Sequence, residues 1–296
     1  MSAPPVWTVK ALLDWTADFL AKKNVPGPAA KVDARLLLAH VLKCKPIDVL
    51  VRYDEEPTDA DRTAYRELIK RRVDGWPVAY LLGEKEFFLL PFEVTPAVLI
   101  PRPETETLVG EALGLLRKQP AAAALDLCTG SGCVAVTLAK NAKTARVTAT
   151  DVSPDALDVA RRNAARNGVA DRIDFRAGDL FEALPAAAAF DVVATNPPYV
   201  TQTELTGLQP EVRDHEPRLA LDGGPDGLAF YRRIAAGVEA YLKPGGWLLA
   251  EIGATQQDAV TALLAERPEL EVVKTLKDMA GLPRVVAARR RISTAP

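Results

Sequence analysis

An alternation of short apolar segments with helical segments runs through the chain after Pro120 and limits the fold more than any other feature. The apolar segments have the length of single strands, and the segments between them have the length of helices that connect parallel strands. This pattern predicts an α/β fold with a mostly parallel, doubly wound sheet. The predicted strands are 124–127, 146–150, 173–176, 191–194, 247–252, 271–276 and 284–288, and the predicted helices are 133–141, 154–167 and 228–242.

The preceding residues have a different character. Apolar residues between Trp7 and about Val73 recur near the 3.6-residue period of a helix, with prolines dividing the segment into short helices. Residues 87–90 and 92–94, separated by Pro91, predict two short strands joined by a tight turn. We therefore predict three parts, which are a small all-helical domain over 1–82, a β-hairpin linker over 83–99 and the α/β domain over 100–296.

Charge and cysteine content exclude several classes of protein. The 37 Lys and Arg residues and 39 Asp and Glu residues give a net charge of -2, without the basic excess typical of nucleic-acid binding. No apolar run approaches the roughly 18 residues of a membrane span, and the first five residues show no secretory signal. Three cysteines and two histidines fit neither a disulfide framework nor a zinc site. We expect a cytoplasmic protein with reduced thiols, no metal and neither a membrane nor a nucleic-acid partner.

A glycine-containing loop follows the first predicted strand of the α/β pattern. It reads Asp126-Leu127-Cys128-Thr129-Gly130-Ser131-Gly132 and leads directly into a predicted helix. The glycines allow a tight turn and let a ligand approach the backbone at the helix N-terminus. Asp151, at the end of the second strand, can accept hydrogen bonds from both hydroxyls of a ribose. Together these features predict an adenosine-containing cofactor.

The loop alone leaves the identity of that cofactor open. Residues 130–135 also match the dinucleotide pattern G-x-G-x-x-A, and glycine loops occur as purely structural turns. A carboxylate at Asp126 would repel a pyrophosphate, whereas it would attract an amino group. Asp126 therefore favours S-adenosylmethionine over NAD.

A second motif, Asn196-Pro197-Pro198-Tyr199, stands at the end of the fourth strand. The Asn196 side-chain oxygen and the Pro197 carbonyl can both accept hydrogen bonds from one NH2 group, which would hold its nitrogen in place. Two prolines stiffen the turn, and Tyr199 offers a flat face to a planar amide or base. The alternative is a purely structural role, in which the two prolines end a strand and Tyr199 packs in the loop. The order of the motifs along the chain favours an amino methyltransferase.

Blocks along nearly the whole chain resemble the peptide chain release factor N5-glutamine methyltransferases. Asn-Pro-Pro-Tyr alone would also fit adenine-N6 methyltransferases, but the other blocks are more particular. The blocks are Arg72-x-x-x-x-Pro77-Val78-x-Tyr80-Leu81-x-Gly83, Glu86-Phe87, Val98-Leu99-Ile100-Pro101-Arg102-Pro103-Glu104-Thr105-Glu106, Asn196-Pro197-Pro198-Tyr199 and Glu216-Pro217-x-x-Ala220-Leu221-Asp222-Gly223-Gly224.

The resemblance implies a class I S-adenosylmethionine-dependent methyltransferase with a Rossmann-like sheet. It implies methyl transfer to the side-chain amide nitrogen of the glutamine in the Gly-Gly-Gln loop of class 1 release factors. The implied catalytic residues are Asn196, Pro197 and Tyr199, with Pro198 as a further substrate contact. The implied contacts of S-adenosyl-L-methionine are Cys128, Thr129, Gly130, Ser131, Gly132, Asp151, Asp179, Leu180 and Asn196.

Two positions depart from the family pattern. Cys128 stands where many members have glycine, so we expect that this position does not need a positive φ. Leu180 stands where some relatives have tryptophan, so we expect apolar packing on the adenine rather than full stacking. Asp179 and Leu180 are expected to flank that ring.

Other groups have weaker functional signals. Arg102, Glu104 and Glu106 either begin a helix with solvated acids or line the cleft. Residues 70–72, Lys-Arg-Arg, are expected to be solvated charges or to help dock the release factor. No general base is required, because the surplus proton can leave to water after transfer. We expect a monomer whose helical domain holds the release factor.

Two alternatives remain at this point. An adenine-N6 or other amino methyltransferase acting on nucleic acid would share the Asn-Pro-Pro-Tyr motif, but the near-neutral charge counts against it. A non-catalytic adapter could use the same fold as a scaffold. The intact Asp126, Gly130, Gly132, Asp151 and Asn196 count against that second alternative.

Overall fold

A computed structural model describes residues 7–23 and 25–292. The first five residues, on which the expectation of no secretory signal rests, lie outside the described residues. No helix among those described is long and apolar enough to span a membrane. The helices are α1 Val9–Lys22, α2 Gly27–Val41, α3 Asp48–Val51, α4 Asp59–Val73, α5 Val78–Leu82, α6 Thr105–Leu116, α7 Cys133–Asn141, α8 Pro154–Arg166, α9 Gln202–Gly207, α10 Pro210–His215, α11 Ala229–Gly237 and α12 Gln257–Ala265. The strands are β1 Glu84–Phe87, β2 Leu90–Glu93, β3 Ala123–Leu127, β4 Arg146–Asp151, β5 Ile173–Ala177, β6 Phe190–Thr195, β7 Leu242–Glu251, β8 Leu270–Lys277 and β9 Pro283–Arg290.

The chain divides into two compact units. One is drawn from Met1–Gly83 and Pro210–His215, and the other from Glu84–Gln209 and Glu216–Pro296. The first has its own apolar core, in which the Tyr65 hydroxyl donates a hydrogen bond to the Ala34 carbonyl at 2.9 Å. The sequence assigned 210–215 to the α/β domain, whereas the structure places these residues with the helical ones.

Arg72 shows why 210–215 belongs to the helical unit. Its guanidinium is largely buried and pairs with Asp33 of α2 at 2.7 Å and with Glu211 of α10 at 2.6 Å. A buried charge is stable only when it is paired, and the second carboxylate comes from α10. The expectation of solvated charges over 70–72 is therefore wrong for Arg72.

The predicted hairpin exists, but its turn lies elsewhere. Phe88 and Leu89 are the two turn residues, with φ of +50° and +60°, and Pro91 lies within β2 opposite Glu86. Positive φ at both turn residues gives the backbone twist that two-residue hairpins favour. Pro91 is tolerated because a two-stranded ribbon is all edge. The expectation of a break at Pro91 is wrong.

Seven strands form one sheet in the order β5-β4-β3-β6-β7-β9-β8. Strands β3 to β7 pair in parallel, and β9 runs antiparallel to both β7 and β8. The chain moves outward from β3 to β5 on one side and then returns to continue from β6 on the other. Ligands of such sheets bind beyond the carboxyl ends of the strands at this reversal. The predicted mostly parallel, doubly wound α/β fold is confirmed.

Alternate residues of the strands face two separate cores. Ala124 and Val192 pack with α6 and α7 on one face, while Leu125 and Val193 pack with α11 and α12 on the other. Burial on both faces requires the near-continuous apolar runs seen in the sequence. The two cores hold the strand ends in fixed positions.

Candidate active site

The register of the sheet places three chain segments side by side. Leu127 of β3 pairs with Thr150 of β4 and with Thr195 of β6. The residues that follow these three, Cys128, Asp151 and Asn196, therefore leave the sheet along one edge. The motifs that the sequence predicts to act together meet at the point of strand reversal.

The loop between β3 and α7 is a compact turn. Gly132, the N-cap of α7, has a φ of +78°, and its backbone N–H donates to the Thr129 carbonyl at 2.8 Å. A Cβ at Gly132 would lie 3.0 Å from the Ala160 Cβ and 3.1 Å from its Cα. Only glycine meets both demands without strain. Gly132 thus allows the loop to pack closely on Ala160 of α8.

Cys128 has a φ of +61°, so the expectation that this position does not need a positive φ is wrong. The next residue, Thr129, donates its N–H to the Thr150 carbonyl at 2.9 Å, which requires the chain to turn sharply after Leu127. This backbone costs a non-glycine residue about 1–2 kcal/mol. Burial raises the pKa of the Cys128 thiol far above its usual range, so the side chain remains neutral.

Asp151 connects the glycine loop with the turn after β4. Its Oδ2 accepts the Gly130 N–H at 2.8 Å, and its Oδ1 accepts the Ser153 N–H at 2.9 Å. Each carboxylate oxygen has a second lone pair, so both oxygens can accept one further hydrogen bond. The carboxylate is thus held in one orientation and can take two hydroxyl donors.

Asp126 is almost fully buried beneath the loop. Its Oδ2 accepts hydrogen bonds from the Thr129 hydroxyl at 2.6 Å and from the Ala135 N–H at 3.0 Å. Burial raises its pKa to about 7, against the opposing effect of these two hydrogen bonds. A pKa of about 7 means that this carboxyl group changes its charge near neutral pH.

Because the pKa of Asp126 is raised, we predict that the free energy of unfolding falls as the pH rises. Between pH 4 and 7 the unfolded chain ionises Asp126 at its ordinary pKa of 3.8, while the folded chain keeps it protonated until about 7. The stabilisation is fully present below pH 3.8 and is lost through pH 7, amounting to about 4 kcal/mol. Denaturant unfolding of Asp126→Asn from pH 4.5 to 8.5 should give a flatter pH dependence than wild type. Parallel curves would contradict the assignment.

Asp179 and Leu180 follow β5 on the outer side of the same edge. Leu180 is buried with a φ of +50°, and Asp179 forms an ion pair with Arg233 at 2.8 Å. The Gly178 N–H donates to the Asp151 carbonyl at 3.0 Å, which brings this segment beside the acidic end of β4. An apolar surface and a carboxylate therefore lie next to Asp151.

The Asn196–Tyr199 segment is held from two sides. The Asn196 Nδ2 donates to the Thr105 hydroxyl at 3.3 Å, and the Tyr199 carbonyl accepts from the Gln256 Nε2 at 3.0 Å. A Cβ on Gly223 would lie only 2.7 Å from the Tyr199 Cα, so the following loop packs directly against the motif. Sequence reasoning did not identify Thr105 or Gln256 as supports of this motif, because they lie 91 and 57 residues from their partners Asn196 and Tyr199.

Glu216 ties another part of this loop to the segment before α6. Its buried carboxylate accepts the Ile100 N–H at 3.1 Å and forms an ion pair with Arg102. Glu106, by contrast, accepts the Phe88 N–H at 2.9 Å and thus holds the hairpin turn. Arg102 and Glu106, which the sequence analysis considered together, therefore have different partners: Arg102 pairs with Glu216, and Glu106 binds the hairpin turn.

A cavity of about 300 Å³ opens along the strand ends. Predicted site residues that line it are Cys128, Thr129, Gly130, Ser131, Asp151, Asp179, Leu180, Asn196 and Pro198. Gly132, Pro197 and Tyr199 lie outside the lining. Asp126, which the sequence analysis connects with the cofactor amino group, and Arg102, for which it considered a place in the cleft, line the cavity as well. Lining residues that the sequence analysis did not connect with the cavity are Ala97, Val98, Leu99, Pro101, Thr105, Cys133, Val134, Thr150, Val152, Ser153, Asp155, Ala156, Gly178, Pro217, Leu219, Ala220 and Phe230.

Comparisons with known proteins show which family the chain resembles and which fold it shares. Residues 11–83 match the family model described as PrmC N-terminal domain, and residues 111–212 match the Methyltransferase small domain. The chain is 43% identical to the release factor glutamine methyltransferase of Geobacter sulfurreducens over 97% of this chain and 98% of that protein. It is 39% identical to the one of Rhodopirellula baltica over 96% and 97%. The crystal structure of a methyltransferase from Pyrococcus furiosus has the same fold, with a TM-score of 0.52, 20% identity and coverage of 76% of this chain and 98% of that chain.

Proposed function

The chain belongs to the release factor glutamine methyltransferase family and is an S-adenosylmethionine-dependent methyltransferase, and we propose its substrate and the residues that act on it. The substrate is the side-chain amide of the glutamine in the Gly-Gly-Gln loop of class 1 release factors. The observation that carries the proposal is the Asn196 amide, which is held beside the cofactor loop with its nitrogen turned to Thr105.

The cavity fits S-adenosyl-L-methionine. Asp151 can accept the two ribose hydroxyls, because each of its oxygens retains a lone pair beside its backbone partner. Asp179 and the buried Leu180 would flank the adenine, and Asp126, which lines the cavity, would attract the cofactor amino group. The remaining contacts would come from Cys128, Thr129, Gly130, Ser131, Gly132 and Asn196. When bound, the cofactor supplies an electrophilic methyl group on a sulfonium.

Asn196 and Pro197 would hold the substrate amide. With its Nδ2 directed at Thr105, Asn196 has its Oδ1 available to accept from the substrate NH2, and the Pro197 carbonyl would accept the second N–H. An amide nitrogen is a poor nucleophile, because its lone pair is delocalised. Holding both N–H groups places the nitrogen for in-line attack and lets it pyramidalise. Pro198 stiffens the turn, and the contact of Tyr199 with the substrate stays a prediction.

The substrate's surplus proton needs no side-chain base before transfer. Once the nitrogen carries four bonds it is strongly acidic, so the proton leaves to water. Asp126 and Glu251 both have pKa values raised to about 7, but each is buried among protein partners. We therefore assign no general base.

The helical unit would dock the body of the release factor. Its helix α1 exposes about half of the Trp15 side chain, whose ring stacks on Phe19 with centroids 4.9 Å apart. Exposed aromatic side chains are typical anchors of protein interfaces. We also propose that the protein acts as a monomer in the cytoplasm. We further propose that it has no nucleic-acid partner, which the net charge of -2 supports.

One assay with three substrates tests substrate and docking together. Labelled S-adenosylmethionine is incubated with intact release factor, with the factor whose loop glutamine is replaced by glutamate, and with a short Gly-Gly-Gln peptide. We expect label in the intact factor, none in the replaced factor, and kcat/KM at least about tenfold lower on the peptide. Equal labelling of the replaced factor would refute the substrate, and equal kcat/KM on the peptide would refute docking. Light scattering and a salt titration with DNA test the monomer and the absence of nucleic-acid binding.

A further inference from the structure

A chain of buried polar groups leads away from Asn196 and ends at Glu251, a residue that the proposed reaction does not use. We propose that Thr105 and Glu251 are positioning residues, which set the end of the Asn196 amide that faces the cavity. The inference rests on the proposed function, because it concerns the residue that would hold the substrate amide.

The fold brings these three residues together from separate segments. Thr195 of β6 pairs with Ala250 of β7, so Asn196 and Glu251 follow neighbouring positions of the sheet edge. Thr105, the first residue of α6, accepts the hydrogen bond from the Asn196 Nδ2 at 3.3 Å, and its hydroxyl interacts with the Glu251 carboxylate, where it lowers the pKa of that acid. Thr105 and Glu251 are 2% and 1% exposed, so water does not compete for these bonds.

The chemistry of these groups determines which of them donates in each hydrogen bond between Asn196, Thr105 and Glu251. An ionised carboxylate can only accept hydrogen bonds, so the Thr105 hydroxyl must donate its single proton to Glu251. The hydroxyl oxygen then has only lone pairs to offer Asn196, which must meet them with its NH2 group. The Asn196 oxygen is consequently left to accept from a substrate NH2 group. If the Asn196 amide were turned the other way, its NH2 group would face the NH2 group of the substrate, and neither group could accept a hydrogen bond from the other.

The direction depends on the charge of Glu251. Burial raises its pKa to about 7, while the hydrogen bond from Thr105 lowers it, and the Oε2 atom has no hydrogen-bond partner among the described residues. Once protonated, Glu251 can donate to Thr105, and Thr105 can then donate to the Asn196 oxygen. Titratable groups on the surrounding segments that interact with Glu251 are Glu104, Arg284, Tyr199, Tyr231 and Cys133.

The chain offers a closely matched set of variants. Thr105→Val removes the hydroxyl at nearly constant volume, Thr105→Ser keeps it, and Glu251→Gln adds a donor where the carboxylate has none. Thr137→Val is the control, because Thr137 is a fully buried threonine of α7 whose hydroxyl has no partner among the described residues and lies outside the cavity lining.

Steady-state kinetics on release factor, cofactor affinity by calorimetry and melting temperature are measured for each variant. We expect Thr105→Val and Glu251→Gln at pH 8 to lower kcat by about 10- to 100-fold. Their cofactor Kd should stay within about threefold of wild type, and Thr105→Ser and Thr137→Val should keep kcat. Since Glu251→Gln mimics the protonated acid, the ratio of wild-type to variant kcat should approach 1 at pH 6 and rise towards pH 8.

A readout without substrate separates this proposal from the proposed function. The side-chain NH2 of Asn196 should exchange slowly with solvent by NMR in wild type and Thr137→Val, and rapidly in Thr105→Val. If wild type does not methylate release factor but this exchange pattern appears, the proposed substrate fails and the positioning chain stands. Unchanged exchange, or a Thr105→Val kcat equal to that of Thr137→Val, would overturn the positioning role.

Discussion

Replacing Asn196 with alanine should lower kcat on release factor by about 10²- to 10³-fold. The substitution removes the oxygen that accepts from the substrate NH2, and the NH2 group that donates to Thr105 at 3.3 Å. The substrate nitrogen then loses its fixed position, which matters most at the transition state. Cofactor affinity should change less than tenfold, since Asp151 and the glycine loop are untouched. Single-turnover kinetics with saturating cofactor measure the effect on the chemical step.

Asn141→Ala is the matched control for this variant. Asn141 ends α7, and within the described part of the chain its side chain bonds only to the Thr137 carbonyl of its own helix, at 3.0 Å. It should retain wild-type kcat. Wild-type turnover in Asn196→Ala would remove Asn196 from the reaction, and an equal loss in both variants would indicate general destabilisation.

Replacing Asp151 with asparagine should weaken cofactor binding by about 100-fold or more. The carboxylate accepts the Gly130 and Ser153 N–H groups with one oxygen each, so an asparagine must turn its NH2 group towards one of these donors. It also loses the charge that strengthens bonds from the ribose hydroxyls, worth about 1.5–3 kcal/mol for each bond. Titration calorimetry with S-adenosylmethionine measures Kd directly.

Asp174→Asn serves as the control for the change of charge. Asp174 lies on β5, and its carboxylate pairs with Arg176 at the surface. Its cofactor Kd should equal that of wild type. If Asp151→Asn binds as tightly as this control, Asp151 does not hold the cofactor. The kcat at saturating cofactor should fall far less than in Asn196→Ala, because the two residues would act on different partners.

The centre of the sheet could be predicted from the sequence because the inner strands β3 and β6 are buried on both faces. Such strands appear in the sequence as uninterrupted apolar runs. The helix predicted over 133–141 matches α7 in both bounds. The candidate site was predictable for a related reason. Its polar residues directly follow those runs, and parallel strands end at a common edge.

Local backbone conformation was harder to predict. The sequence places the hairpin break at Pro91 and expects no positive φ at Cys128, yet positive φ occurs at Phe88, Leu89 and Cys128. None of these residue types favours that conformation. It is imposed by contacts distant in sequence, such as the bond from the Phe88 N–H to Glu106 and that from the Thr129 N–H to the Thr150 carbonyl.

Contiguous stretches of sequence were enough to predict the α/β fold, the order of its motifs and the family of the protein, because each of these depends on residues that are close together along the chain. The residues that support the motifs come from distant segments, and their contacts are visible only in the folded protein. Thr105 lies 91 residues from Asn196, Gln256 lies 57 residues from Tyr199, and Glu216 lies 116 residues from Ile100, while Glu251 belongs to β7, which pairs with the strand that precedes Asn196. Their hydrogen bonds form only when strands β6 and β7 and the segment before α6 meet, so no local pattern reveals them.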